Sequence, residues 1–152
     1  MGTSKNYGHI LAPNFNLKGG RILTTEVTLT ATQAKALRAT PQSIAPAPGA
    51  GKVAYPLHGI IAMDYAAAFT ETAENLVLKW TNGSGAAASQ VVETTGFLDA
   101  TSDQIRPILP TNDAAGVANA ALVLHNNGDG ELGGTGSPLK IKLTYIVFET
   151  GL

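Results

Sequence analysis

The stretch Gly49-Ala50-Gly51-Lys52 comes closest to a chemical motif in this sequence, because it carries the glycines and the lysine of a phosphate-binding loop. That motif also needs a glycine at the position of Pro46 and a serine or threonine at the position of Val53. A phosphate loop leads into a helix whose N-terminus holds the anion, whereas the residues after Lys52 have the period of a strand. The stretch therefore predicts a plain turn.

The histidines and carboxylates do not have the spacing of a metal site. His9, His58 and His125 lie far apart in a chain that has no cysteine to complete a zinc site. Residues 127–131, Asn-Gly-Asp-Gly-Glu, lack the regular oxygen ligands of a calcium loop and predict a tight turn. A Ser-His-Asp triad stays open because triads are defined by geometry, but no Gly-x-Ser-x-Gly elbow marks a nucleophile. We therefore expect no enzymatic activity, no metal and no cofactor.

Two further motifs suggest carbohydrate. Trp80 could serve as a stacking platform for a sugar, but it shares its parity with Leu76 and Leu78, which favours a place in the core. Asn82-Gly83-Ser84 has the form of a glycosylation acceptor. Since the chain begins without the apolar core of a signal peptide, we interpret these three residues as a hairpin turn.

Composition limits both the fold and the partners. Ten basic and eleven acidic residues give a net charge of −1, which argues against binding that neutralises many phosphates on a nucleic acid or an anionic membrane. No run approaches the roughly 20 apolar residues of a membrane span. Only 14% of the residues are charged and 17 are glycine, which favours β structure in a chain of one-domain length.

The elements that position these residues are predicted to be short strands. The clearest is residues 139–147, where Leu139, Ile141 and Leu143 alternate with polar residues, so that one face of the strand is apolar. Further strands are predicted at 21–30, 52–66 with a bend or bulge near Pro56 and Gly59, 75–81, 90–95 and 120–125, with an extended edge segment from 44. Seven or eight such strands predict an all-β two-sheet sandwich, with the jelly roll among the candidates.

Two smaller features complete the predicted domain. Thr30 and Gln33 have the spacing of a capping box, which predicts one short helix that ends before Pro41. Ile105, Ile108 and Leu109 are predicted to reach back into the core. The sandwich is predicted to be a single domain over residues 21–152.

Residues 1–20 have neither a strand nor a helix period, and predict an extended N-terminal arm. A frayed terminus is the alternative. The arm is more apolar than a purely solvated tail requires, so we expect its apolar residues to dock on the parent domain or on a neighbour. These candidate protein-interaction residues are Tyr7, Ile10, Leu11, Phe15 and Leu17.

Residues 34–53, which include the run Pro41-Gln42-Ser43-Ile44-Ala45-Pro46, resemble a pattern found in small virion proteins of tailed bacteriophages and prophages. Gly96-Phe97-Leu98-Asp99 and residues 139–145 are similar to the same group, so that a weaker likeness runs from about residue 28 to 147. The resemblance implies a capsid decoration, or cement, protein. Such a protein sits as a homo-dimer or homo-trimer on the outer surface of the capsid, after assembly in the host cytoplasm, and ties neighbouring capsomers together.

The resemblance implies two partners, the major capsid protein and further copies of this chain, and transfers no catalytic residue. Two alternatives remain open at the level of sequence. Another virion component, such as a tail, fibre or baseplate protein, would share the same composition. A carbohydrate-binding module of the sandwich class would need exposed aromatic side chains or a calcium site.

Overall fold

The computed structural model describes residues 15–17, 20–70 and 74–151 of the chain. One short helix occurs in these ranges, α1 (Ala31–Lys35), and the rest of the regular structure is β. The strands are β1 (Phe15–Leu17), β2 (Gly20–Leu29), β3 (Gln42–Ala45), β4 (Lys52–Met63), β5 (Phe69–Thr70), β6 (Asn75–Trp80), β7 (Val92–Glu93), β8 (Gln104–Ile108), β9 (Leu122–Asn126), β10 (Gly133–Gly134) and β11 (Leu139–Glu149).

The principal strands pair in a nested order that defines a jelly roll. The first pairs with the last (β2 with β11), the second with the seventh (β3 with β9), the third with the sixth (β4 with β8) and the fourth with the fifth (β6 with β7), all antiparallel. This is the pairing of one long hairpin rolled into two sheets. The sheets have the orders β1-β2-β11-β4-β8 and β3-β9-β6-β7, and a two-stranded ribbon joins β10 to β5. The predicted all-β, jelly-roll sandwich is thus confirmed.

Alternating side chains build the core between the two sheets. Along β11 the buried residues Leu139, Ile141 and Leu143 alternate with exposed Lys140 and Lys142, as predicted. The lysines face solvent, and surface ion pairs of the kind they form with Asp64 and Glu26 contribute little to stability. The facing sheet supplies the other half of the core from β6 and β9: Leu76, Leu78, Trp80, Leu122 and Leu124.

The predicted capping box is present at the start of α1. The Thr30 side chain accepts the backbone N–H of Gln33, and the Gln33 side chain accepts the backbone N–H of Thr30. The helix buries Ala34, and the following turn buries Leu37. Helix and turn therefore close one end of the sandwich between β2 and β3. No helix among the described residues is long and apolar enough to span a membrane.

A β-bulge in β4 confirms the predicted irregularity and turns one apolar side chain out of the core. The register between β4 and β11 shifts between Thr144 and Tyr145, so that Leu57 is left over on β4. Gly59 lies beside the bulge, where an added Cβ would approach the Lys142 carbonyl oxygen to 2.7 Å. Leu57 is the extra residue of this bulge and faces outward. It is 40% exposed, although it shares its parity with buried Ile61.

The prediction that Ile105, Ile108 and Leu109 all reach into the core is right only for Ile108. Ile108 is 1% exposed, whereas Ile105 is 61% and Leu109 is 37% exposed. The period of two along β8 explains the difference, since Ile108 faces inward and the odd-numbered residues face out.

Candidate interaction surfaces

The sequence motifs that resembled a phosphate loop, a sugar platform and a glycosylation site form turns or parts of the core. A strand and not a helix follows Gly49-Ala50-Gly51, which confirms the predicted turn, and Gly49 and Gly51 have φ angles of 101° and 68° that favour glycine. Trp80 is fully buried and donates its Nε1–H to the Ala54 carbonyl oxygen at 2.8 Å, so it offers no sugar platform. Asn82 accepts the Ser84 N–H through its side chain, as in the predicted turn.

The histidines and carboxylates are dispersed over the described part of the chain. His58 is exposed on β4, His125 is buried on β9, and His9 lies outside the described residues. No group of three histidine, aspartate or glutamate side chains among the described residues could hold a metal ion. The carboxylate of Glu131 accepts the backbone N–H groups of Arg38 and Ala39, at 3.1 and 2.8 Å, so it fastens the loop after β9 to the turn after α1.

A group of exposed apolar side chains lies where β7 and β8 close one side of the sandwich. After β8 the chain continues beside residues 89–91, where the Gln90 N–H donates to the Leu109 carbonyl oxygen at 2.9 Å and Ser89 bridges to Pro110. We call Val91, Ile105 and Leu109 the apolar edge; they are 48%, 61% and 37% exposed. Large apolar groups exposed together commonly mark a protein contact.

The predicted interaction residues of the arm fall mostly outside the described residues, namely Tyr7, Ile10 and Leu11. Phe15 and Leu17 belong to β1, and their register pairs them with Ile22 and Gly20 on β2. Phe148 of β11 pairs with Gly20 on the other side, and it is 40% exposed. The strand β1, which is a described part of the arm, thus lies at the edge of the five-stranded sheet opposite to β8.

A polar cleft of about 630 Å³ lies on the face of the four-stranded sheet turned away from the core. Its floor includes Lys79 of β6 and His125 of β9, whose strand neighbours Leu78 and Leu124 point into the core. The walls come from the turn after α1, the loop after β6 and the loop after β9. The lining residues are Arg38, Ala39, Pro41, Lys79, Asn82, Gly83, Ser84, His125, Asn127 and Gly128.

The cleft concentrates positive charge. Burial, followed by the nearby charge of Arg38, lowers the pKa of Lys79. Burial is also the largest cause that lowers the pKa of His125, and Lys79 and Arg38 add to it, while Glu131 and the Arg38 backbone oppose it. The Lys79 ammonium donates to the Gly83 carbonyl oxygen at 2.7 Å. Among the described residues that line the cleft there is no carboxylate.

The loop after β6 has a strained backbone that fixes its position. Thr81 has a φ of 72°, which is rare for a β-branched residue, and the Asn82 N–H donates back to the Trp80 carbonyl oxygen at 2.9 Å. Gly83 then packs on the imidazole of His125, where an added Cβ would lie 2.7 Å from Nε2. The cleft wall is therefore set by a strained turn that has no room for a side chain at residue 83.

The buried carboxylate of Glu74 holds the opposite wall. Its Oε1 accepts the Gly130 N–H at 2.8 Å, and its Oε2 lies against Gly128. Asn126 closes the same loop by accepting the Gly128 N–H and donating to the Gly130 carbonyl oxygen. The predicted tight turn at residues 127–131 is thus present, and it forms one rim of the cleft.

Sequence reasoning missed the cleft. Its charged groups come from positions 38, 79 and 125, which only the fold brings together. One local signal existed, since Lys79 is the single charged residue in the strand Asn75-Leu76-Val77-Leu78-Lys79-Trp80. A lysine on the outer face of an otherwise buried central strand indicates a polar opening above it.

Together the two sheets and their nested pairing define a jelly roll that carries an exposed apolar edge and a cationic cleft. No protein-family model matches the sequence, and no curated protein matches it significantly. Among solved structures, the chain is similar to one from a structure titled "Cyanophage Pam1 capsid asymmetric unit", with 16% sequence identity, a TM-score of 0.43, and coverage of 96% of this chain and 99% of that chain. A likeness of this degree does not establish a shared function.

Proposed function

We propose that this chain is a non-enzymatic structural protein of a tailed-bacteriophage virion. In this proposal it binds the outer surface of the capsid shell, contacts the major capsid protein, and cements neighbouring capsomers as a homo-dimer or homo-trimer. The jelly roll serves capsid proteins, lectins and enzymes alike, so the fold by itself does not select this function. The proposal rests on the sequence resemblance of residues 34–53 and on the surfaces of the domain.

The observation that carries the proposal is the apolar edge. Ile105 exposes 61% of its surface on an edge strand, and Val91 and Leu109 lie along the same side of the sandwich. Pro107, also exposed, removes one backbone donor from that strand, which discourages a further strand from adding to the sheet. A partner would therefore be recognised there through side chains rather than by strand addition.

The segment that resembles the decoration proteins contributes to the outer surface. It runs from α1 through β3, the edge strand of the four-stranded sheet, into the turn before β4. Arg38, Ala39 and Pro41 of this segment line the cleft. The resemblance therefore falls on residues that a partner can reach, and not only on the buried core.

The arm supplies the second part of the proposal. Its apolar residues Tyr7, Ile10, Leu11, Phe15 and Leu17 would bury surface on a neighbouring capsid subunit, at the entropic cost of ordering a segment. Contacts that are individually weak become strong when an oligomer repeats them over a symmetric lattice.

Mixing the purified chain with undecorated shells, made from the major capsid protein of the same genome, tests the proposal. Co-sedimentation at a fixed ratio of chain to capsid subunit is the expected result, and absence of saturable binding would overturn it. Light scattering on the chain alone should report a dimer or a trimer.

Deletion of residues 1–14 tests the arm separately and leaves β1 in place. We expect weaker shell binding with an unchanged thermal unfolding midpoint. Shell binding equal to that of the full chain would show that Tyr7, Ile10 and Leu11 do not dock.

A further inference from the structure

We propose that the cleft above Lys79 and His125 binds a carboxylate side chain from an acidic peptide segment of the shell protein. This inference rests on the proposed function and names the chemistry by which one part of the partner is recognised. The lining residues of the cleft include none of the residues of the apolar edge.

The donors in the cleft suit a carboxylate. The Lys79 ammonium uses one N–H on the Gly83 carbonyl oxygen, which fixes its position and leaves two further donors. The Arg38 guanidinium makes no ion pair or hydrogen bond with the described residues, and its planar fork can hold both oxygens of one carboxylate. Ser84 also lines the cleft.

The charge of the cleft is not neutralised from within. The negative charge of Glu131 acts on His125, but its carboxylate accepts the backbone N–H groups of Arg38 and Ala39 and forms no ion pair with the Arg38 or Lys79 side chain. Burial is the largest cause of the lowered pKa values of Lys79 and His125, and the positive charge of Arg38 lowers both further, which places two like charges beside each other in the cleft. A bound anion would reduce the electrostatic repulsion between Arg38 and Lys79. This repulsion destabilises the unbound cleft, so its removal adds to the free energy of binding.

The walls are organised before a ligand arrives. The strained Thr81 turn holds Asn82, Gly83 and Ser84 in one arrangement, and Glu74 holds the opposite loop through Gly130. A site built on ordered elements loses less conformational entropy on binding than one that must be assembled.

An acidic peptide fits better than a nucleic acid or a membrane surface. Arg38 and Lys79 are the only permanently charged cations among the described lining residues, whereas nucleic-acid binding depends on neutralising many phosphates. The exposed Asp129 lies just outside the cleft, and the chain as a whole has a net charge of −1. These charges would repel an extended polyanion but leave room for one or two carboxylate side chains.

The test is a titration followed by two-dimensional NMR with three probes: a capped glutamate-rich hexapeptide, a glutamine-rich hexapeptide of equal length, and inorganic phosphate. We expect the glutamate peptide alone to shift the amide signals of Lys79, Gly83 and His125 in a saturable way. Equal shifts with the glutamine peptide, or tighter binding of phosphate, would overturn the proposal.

Variants locate the binding. Arg38→Gln, at an exposed position, should weaken glutamate-peptide binding at least tenfold, and Lys79→Gln should do the same. Arg21→Gln and Lys142→Gln remove exposed positive charges from the other sheet and should leave binding unchanged. If Lys79→Gln lowers the unfolding midpoint, only the peptide titration of Arg38→Gln is used as the test. Unchanged peptide binding by Arg38→Gln refutes the inference.

Shell binding by the same variants separates this inference from the proposed function. If the unmodified chain decorates shells and Arg38→Gln decorates them equally well, the cleft is not a contact and the inference fails while the function stands. If the unmodified chain does not bind shells at all, the proposed function fails, and the peptide titration still decides whether the cleft takes a carboxylate.

Discussion

Replacing Gly128 by alanine should destabilise the chain strongly, and the loss should disappear when Glu74 is truncated. An added Cβ at residue 128 would overlap Oε2 of Glu74, whose side chain is buried at 6% exposure. To avoid the overlap the carboxylate must move and give up its 2.8 Å bond from the Gly130 N–H.

The expected size follows from these two consequences. Loss of a hydrogen bond to a charged group costs about 1.5–3 kcal/mol, and forcing an extra carbon into a packed site costs about 1–3 kcal/mol. The free energy of unfolding should therefore fall by about 2.5–6 kcal/mol in Gly128→Ala. In a Glu74→Ala background the overlap with the carboxylate is gone and only a 3.0 Å approach to the Cα of residue 74 remains, so the same substitution should cost about 1 kcal/mol or less.

Urea unfolding followed by the fluorescence of the single, buried tryptophan measures all four members of this cycle. Gly130→Ala is the matched control, because a Cβ there would lie 3.1 Å from Glu74 Oε1 and requires only a small adjustment. An equal loss from Gly128→Ala with and without Glu74 would refute the packing of this carboxylate against the loop that forms the cleft rim.

Three further predictions concern the core, the cleft and the edge. Trp80→Phe should lower the free energy of unfolding by about 2–4 kcal/mol, measured by circular dichroism, because it leaves the buried Ala54 carbonyl without its donor and opens a space. Because the folded chain lowers the pKa of His125 below its usual 6.5, stability should fall as the pH drops through 6.5 toward the folded value and then level off. Urea unfolding over this range should show a smaller pH dependence in His125→Gln, and an equal one would contradict the burial argument. Ile105→Ser should weaken shell binding by about 1–2 kcal/mol per site, judged from the exposed 61% of the side chain, with unchanged thermal stability. Leu57→Ser, at a position of 40% exposure, is the comparison and should bind as the unmodified chain does.

The two-sheet fold was predictable because its longest strands are amphipathic and turn signals separate them. The alternation along β11 and the capping box at Thr30 are local signals, and both are present in the structure. The nested strand order was not predictable beyond a candidate, because pairing between β2 and β11 joins residues more than a hundred positions apart.

The sequence does not show which apolar side chains face the core, for two physical reasons. A period of two assigns faces only while the register is continuous, and the bulge opposite Thr144 and Tyr145 reverses the face of Leu57. For Ile105 and Leu109 the sequence shows hydrophobicity but not which face the strand presents. By residue type alone, an exposed apolar residue cannot be distinguished from a core residue. Only its position in the fold shows that it lies at an edge.

The cleft was beyond sequence reasoning for a different reason. Arg38 stands on the turn after α1, Lys79 on β6 and His125 on β9, and no single sequence motif contains more than one of the three. The loops that surround them are held by a few long-range hydrogen bonds, such as those from the Arg38 and Ala39 backbone N–H groups to Glu131. No sequence pattern predicts these bonds.

The central claim is that this chain decorates a capsid, and electron cryo-microscopy of the virion that contains it tests the claim most directly. The account predicts density for the jelly roll on the outer face of the shell, bridging neighbouring capsomers at every equivalent position. Density for this fold on the tail, fibres or baseplate, with a shell that lacks it, would contradict the account.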